Sequence, residues 1–326
     1  MCIVFFSRVL LFYNDSIYND QTMNHRGFSK DIKQKLGLRI GPFIYQFRAY
    51  DHWGLQVLKQ IELHLAVADL QDNDRIDRYI HLVDIIDKQN PNTLPLQLKG
   101  LLTAEEHDLK WSLLSNQVNT LRYAKDSAHT FWTTATGSEL DKLRFDFPWR
   151  ILINDIVDRG GGLLHTGLAS YREAGLLFLA PPGGGKTTTL STAPSDWQVL
   201  SDDAALVWPD GEKCWLASPL PAWGRITNPN EKWRYPHMAL DQSCRLKSIL
   251  VLQKTRKVSL KKYQASTAMP FIYRALCEYP VTILTGAIQE EPFFRTAAAM
   301  TRDLTCWELS LPLHGDIWPL LSREAA

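Results

Sequence analysis

Apolar residues along this chain fall mostly into short runs bounded by turn residues, with a few stretches at helical spacing. Residues 1 to about 87 mix strand-like runs, beginning with MCIVFF, and contain one helix. There Asp51 caps HWGLQVLKQIEL, and Trp53, Val57 and Leu58 recur at helical spacing. The segment 88–98, DKQNPNTLPLQ, is polar and proline-bearing and reads as a loop. Between Trp111 and Ala135 the runs WSLLS, TLRYAK and HTFWTTA are separated by polar turns, which predicts an antiparallel meander. FPWRILINDIVDRGGG then places Trp149, Leu152, Ile153, Ile156 and Val157 on one helical face, stopped by the glycines at 160–162.

The second half is denser in strands. Residues 161–170, GGLLHTGLAS, and 175–180 read as two strands joined only by YREA. Parallel neighbours need a crossover of about a dozen residues, so these two must form an antiparallel hairpin. Further strands follow in ALVW, in KCWLAS after the turn at Asp210-Gly211, in the buried run LKSILVLQK and in CWELSLP. The stretch PLPAWGRITNPNEKWRYP reads as a loop holding Arg225, Lys232 and Arg234. STAMPFIYRALCEYP and EEPFFRTAAAMTRDLT read as helices with Pro270 and Pro292 near their starts, where proline is tolerated. The expected fold is α/β, with a mixed sheet over 148–326 and a β-rich region over 1–147.

The hairpin feeds the most informative stretch, GLLFLAPPGGGKTTTLSTAPSDWQVLSDD, residues 175–203. An apolar strand enters a loop of Pro182, Gly183, Gly184 and Gly185 that ends in Lys186, Thr187 and Thr188. Glycines let backbone N–H groups close around phosphate oxygens, a lysine adds charge for the β/γ-phosphates, and a hydroxyl can ligate Mg²⁺. Sixteen and seventeen residues after the lysine, a second apolar stretch ends in Asp202 and Asp203, suited to a metal or to a hydroxyl proton. Written strictly, the phosphate-loop motif needs glycine where this chain has Ala180, which can stand there if its backbone is not left-handed. A plain Pro/Gly turn is the competing interpretation, and GGGKTTT ahead of a helix argues against it. Most phosphate-loop proteins use parallel βαβ units, so the antiparallel partner narrows the subclass.

Composition changes the picture little. A net charge of +1 gives no reason to invoke nucleic acid or a membrane surface. Cys2, Cys214, Cys244, Cys277 and Cys306 contain no CxxC pair, which points to a reducing, cytoplasmic setting. The apolar N-terminus is interrupted by Arg8 and lacks signal-peptide features; Met23 is a second candidate start. The tryptophans at 197, 208, 215, 223 and 233 read as packing residues, and Lys254, Arg256, Lys257, Lys261 and Lys262 as a solvated basic run.

The order HTGLAS, turn, LLFLAPPGGGKTTT and VLSDD resembles the catalytic domain of HPr kinase/phosphorylase, where a histidine strand precedes the phosphate loop and an Asp-Asp pair. More narrowly, the HTG strand, the LSDD strand and SPLPAWGR are similar to HPr-kinase-related proteins of peptide-modifying cassettes, the C protein of SynChlorMet cassettes above all. The specific likeness covers about residues 161–226. It implies a mixed-sheet core of the HPr kinase and PEP-carboxykinase type, with ATP and Mg²⁺ as cofactors. By position, Lys186 would hold the β/γ-phosphates, Thr187 the metal, and Gly183, Gly184 and Gly185 the phosphates. Asp202 and Asp203 would divide metal binding and base work in an order that stays open, His165 would tune the base, and Arg225 would meet a phosphate. Taken alone, His165 reads as a packed strand histidine.

Two departures limit the carry-over. SPLPAWGRI lacks the further carboxylate that HPr enzymes carry before an RG dipeptide, so a second metal site and phosphorolysis are not implied. The first 150 residues do not match the HPr enzymes' N-terminal domain, so an HPr-type acceptor is not implied either. The expectation is phosphoryl transfer from ATP to a hydroxyl of a protein or ribosomally made peptide. The alternative is an ATP-binding accessory module that transfers little or nothing. Self-association stays open. An ordinary phosphate-loop NTPase is disfavoured by the hairpin, and a PEP-carboxykinase activity by the lack of its added ligands.

Overall fold

A turn at Gly41, whose φ is +54°, folds β1 (Gln34–Ile40) back on β2 (Phe43–Ala49) in antiparallel register. The computed structural model describes residues 30–64, 67–71, 73–84, 94–115, 119–134, 146–220, 242–278, 290–312 and 315–325. They divide into two units, one drawn from Met1–Pro148 and one from Trp149–Ala222 and Ala239–Ala326. Arg225, Lys232, Arg234, Trp223, Trp233, Met23 and Cys2 lie outside the described residues.

In the first unit the chain leaves β2 through helix α1 (His52–His64) and returns as β3 (Arg78–Val83), parallel to β2. Asp51 starts the helix as the sequence suggests, its Oδ1 accepting the Gly54 N–H at 2.8 Å. β4 (Ser112–Ser115), β5 (Asn119–Tyr123) and β6 (His129–Thr134) form the expected antiparallel meander. β6 then lies parallel to β3, completing a six-stranded order β1-β2-β3-β6-β5-β4. The two parallel pairings were not legible, because strand patterns mark a strand without naming its partner. Leu96–Lys99 forms one helical turn in the stretch read as loop, anchored by buried Leu98. Trp53 and Trp132 meet edge to face at 5.9 Å in this core, both fully buried.

A helix (Asp146–Asp158) leads into the second unit and is ended by Gly160 at φ +78°. The stretch read as one strand from 161 to 170 is broken once, into β7 (Gly162–His165) and β8 (Gly167–Tyr171). β8 turns through Arg172 and Glu173 into β9 (Ala174–Leu179), with antiparallel pairing from Tyr171↔Ala174 to Gly167↔Phe178. Both turn residues have positive φ, 47° and 72°, the two-residue geometry that matches strand twist. The hairpin inferred from the short YREA connection is therefore present.

Downstream, a short helix (Lys186–Leu190) leads to β10 (Gln198–Ser201), β11 (Ala204–Pro209) and β12 (Trp215–Pro219). β10 pairs β8 and β11 pairs β7, with Ser201 opposite Leu168 and Ala204 opposite His165. One register therefore carries across the break, and Asp202-Asp203 face the Thr166 corner, where Thr166 N–H donates to the Asp203 carbonyl at 3.0 Å. β13 (Cys244–Lys254) runs parallel to β9 on one side, with β15 (Thr305–Leu311) parallel on the other and β14 (Ser259–Lys262) against β15. The result is a mixed sheet in the order β10-β8-β9-β13-β12-β11-β7.

The helices at Ala265–Cys277 and Glu290–Asp303 match the sequence pattern. Pro292 sits in the first turn, but Pro270 lies further inside its helix than expected. Its missing N–H leaves the carbonyl four residues back, at exposed Ser266, without a helical donor. A last helix, Trp318–Ala325, lies beyond the elements the pattern marked. It closes the core with Trp197, whose ring centroid is 4.9 Å from that of Trp318. Trp197, Trp208 and Trp215 are all buried, in keeping with packing roles.

Candidate nucleotide site

β9 is buried along its whole length between β8 and β13 and delivers the chain to the loop Ala180–Gly185 at its C-terminal end. The three glycines meet different demands. Gly183 and Gly185 have φ of +72° and +101°, the left-handed region. At Gly184 a Cβ would lie 2.6 Å from the Ala180 Cβ and 2.7 Å from the Pro181 carbonyl, so only hydrogen fits. Ala180 is not among the positive-φ residues, which is the condition under which alanine can replace the motif's first glycine. The following helix is short, only Lys186–Leu190, so anion attraction here comes from the loop's N–H groups more than from a helix dipole. Pro182 and Thr188 are exposed on either side of this turn.

Lys186 is 7% exposed, and its Nζ donates to the Ala180 carbonyl at 2.8 Å and lies 2.9 Å from His165 Nε2. An ammonium has only donors, so Nε2 accepts and Nδ1 carries the imidazole hydrogen. Nδ1 faces Asp203 Oδ1 at 3.3 Å. The neighbouring carboxylate turns elsewhere: Thr187 Oγ1 donates to Asp202 Oδ2 at 3.1 Å. Ser201 Oγ holds this corner by accepting the N–H groups of Asp203 and Ala204 at 3.4 and 3.2 Å. Lys186, Thr187, Asp202, Asp203 and His165 thus come together from one loop and two adjacent strand breaks.

The structure adds a residue that the sequence reading missed. Glu278, at the end of the helix Ala265–Cys277, places Oε2 3.7 Å from His165 Nε2. Its Oε1 lies 3.4 Å from Arg274 Nε, one turn earlier. A carboxylate thus reaches the histidine from a helix some fifty residues beyond SPLPAWGRI, and its only sign in the sequence was the Arg274/Glu278 spacing. An open cavity of about 530 Å³ runs from His165 and residues 179–184 to Leu252–Lys254, Phe271, Arg274, Ala275 and Glu278.

The Thr187 hydroxyl and the Asp202 carboxylate are hard oxygen donors at the mouth of the loop, a pair that suits Mg²⁺. Among the described residues no group of three His, Cys, Asp or Glu side chains could hold a metal alone. The donor set therefore suits a cation whose remaining ligands are phosphate oxygens and water, the usual habit of Mg²⁺. No helix among the described residues is long and apolar enough to cross a membrane.

A family profile described as SynChlorMet cassette protein ScmC matches residues 143–325. No curated protein matches the chain. Among solved structures, the HPr(Ser) kinase/phosphatase from Coxiella burnetii is similar at 9% identity and a TM-score of 0.27, over 50% of this chain and 92% of that one. A superposition that loose carries no weight beyond its being found. The family profile spans more than half of the chain and covers the phosphate loop, the Asp pair and the helix bearing Glu278, and on that match the chain belongs to the SynChlorMet cassette ScmC family.

Proposed function

We propose that this chain transfers the terminal phosphoryl group of ATP to a hydroxyl on a peptide or protein, with Mg²⁺. The observation that carries the reading is the separation of the two aspartates. Asp202 shares its oxygen with the Thr187 hydroxyl, and Asp203 faces the imidazole hydrogen of His165. Thr187 and Asp202 are the protein oxygens that would hold Mg²⁺, which would offset the charge developing on the phosphates.

The remaining residues are suited to orientation and proton transfer. The Gly184 N–H is taken by the Pro181 carbonyl at 2.8 Å, so the N–H groups of Gly183, Gly185 and Lys186 would meet the phosphates, and Lys186 would supply charge for the β- and γ-phosphates. The acceptor hydroxyl oxygen attacks the γ-phosphorus as the bond from that phosphorus to the β-bridging oxygen breaks, and ADP departs. The hydroxyl proton passes to an oxygen of Asp203, which His165 holds in place through Nδ1–H. Little covalent chemistry is asked of the protein, so positioning and charge do most of the work.

A hydroxyl-bearing peptide is favoured as acceptor by the cassette context of the family and by the open cavity beside the loop. Incubation with MgATP and candidate peptides, followed by mass spectrometry, tests the reading. A phosphorylated serine or threonine is the expected product. Tight MgATP binding with no labelled peptide would instead support the accessory-module reading.

A further inference from the structure

We propose that Lys254 is a second phosphate-contacting cation of this site, meeting the terminal phosphate of a nucleoside triphosphate; this rests on the nucleotide reading above. In the sequence Lys254 opens a basic run with Arg256, Lys257, Lys261 and Lys262, a pattern that reads as a solvated face. Of those five, Lys254 alone lines the cavity beside the loop. The reason is strand register. β13 is parallel to β9 with Val251 opposite Leu179, so the end of β13 comes level with the start of the phosphate loop.

The side chain lies across the loop. Lys254 Nζ donates to the Gly183 carbonyl at 2.7 Å, and a Cβ on Gly185 would sit 3.9 Å from Lys254 Cε. Charge balance then separates Lys254 from Arg274, the other permanent cation of the cavity, which is paired with Glu278. Among the described residues the ammonium of Lys254 bonds only the neutral Gly183 carbonyl. An uncompensated cation beside a nest of N–H donors and a buried lysine makes the complement of this corner an anion. Lysine's flexible four-carbon stem lets Nζ exchange a carbonyl for a phosphate oxygen without moving the backbone.

A plain structural clamp on Gly183 is the competing role, and the two differ in what they do to ATP and ADP. A clamp shapes the loop for both nucleotides; a contact to the terminal phosphate exists only with ATP. Calorimetric titration of MgATP and MgADP into the full chain therefore decides, using wild type, Lys254→Met and Lys254→Arg. The expected result is that Lys254→Met cuts the ATP-over-ADP preference by about tenfold or more and leaves MgADP affinity close to wild type, with Lys254→Arg restoring most of the preference. Equal losses for both nucleotides, or no change in either, would overturn the proposal. Should Lys254→Met fold poorly by circular dichroism, Lys254→Gln takes its place under the same criteria. If wild type binds neither nucleotide, the nucleotide reading itself fails and Lys254 falls with it, an outcome seen before any variant is made.

Discussion

Asp202 and Asp203 are adjacent in the chain yet face different partners, Asp202 the Thr187 hydroxyl at 3.1 Å and Asp203 the Nδ1 of His165 at 3.3 Å. The two residues form the bend between β10, which ends at Ser201, and β11, which starts at Ala204, and this corner keeps both carboxylates beside the loop. Two identical side chains thereby acquire different partners from position alone.

That division predicts different phenotypes for one substitution made twice. If Asp202 holds the metal as proposed, Asp202→Asn should weaken MgATP binding as well as transfer. Asp203→Asn should leave binding close to wild type and lower single-turnover phosphopeptide formation by about 10²–10⁴-fold, the range of general acid–base assistance. Nucleotide affinity measured alongside single-turnover rates checks both. Equal binding defects would remove the assignment.

Lys186→Ala should lower MgATP affinity by about 10–100-fold, the equivalent of a lost charge-assisted hydrogen bond. The fold should persist, because the Ala180 carbonyl and the His165 ring, two of the side chain's partners, belong to strand ends held by their own backbone pairing. Calorimetry with MgATP reads the first effect and a thermal melt the second. Unchanged affinity would dismiss the phosphate-loop interpretation.

The loop glycines should differ in tolerance. A methyl group on Gly184 would collide with Ala180 and the Pro181 carbonyl, so Gly184→Ala must displace the loop and should abolish measurable MgATP binding. Gly183 has open space around a Cβ, and Gly183→Ala meets only the strain of φ +72°, about 1–2 kcal/mol. The expected order of affinities is wild type, Gly183→Ala, Gly184→Ala. The reverse order of the two variants would contradict the loop geometry.

A pH dependence is expected in the first unit. His81 is 1% exposed, its Nδ1 is 2.7 Å from the Tyr50 hydroxyl and its Nε2 is 2.7 Å from His129 Nδ1. Burial first, then the charges of His129 and Arg48, hold its pKa well below the ordinary histidine value. Below about pH 6.5 the unfolded chain takes up a proton that native His81 refuses, so stability falls as the pH drops, by up to about 1.4 kcal/mol per pH unit. Above that pH His81 contributes no slope. Urea unfolding at pH 7.5 and 5.5 should show the loss in wild type and a smaller one in His81→Phe, whatever the variant's own starting stability. Equal losses in the two proteins would rule out His81 as the source.

What the sequence determined by itself was local. The loop from Gly183 to Thr187, the Asp pair and the hairpin through Arg172-Glu173 were all legible, because each depends on consecutive residues: a tight turn, a nest of N–H groups, a connection too short to cross over. For Ala180 the sequence stated only the condition, a torsion outside the left-handed region, and the structure meets it. Tertiary structure decided which groups meet at a distance. Glu278 and Lys254 come to the site from a helix end and a strand end more than sixty residues past the loop lysine, through the register of β13 on β9 and the docking of a helix. The parallel pairings of β3 with β2 and β6 are of the same kind. Hydrophobic periodicity states which face of an element is buried but carries no information on which neighbour buries it. That choice is made by the packing of the whole unit, and it separated Asp202 from Asp203 and Lys254 from the rest of its basic run.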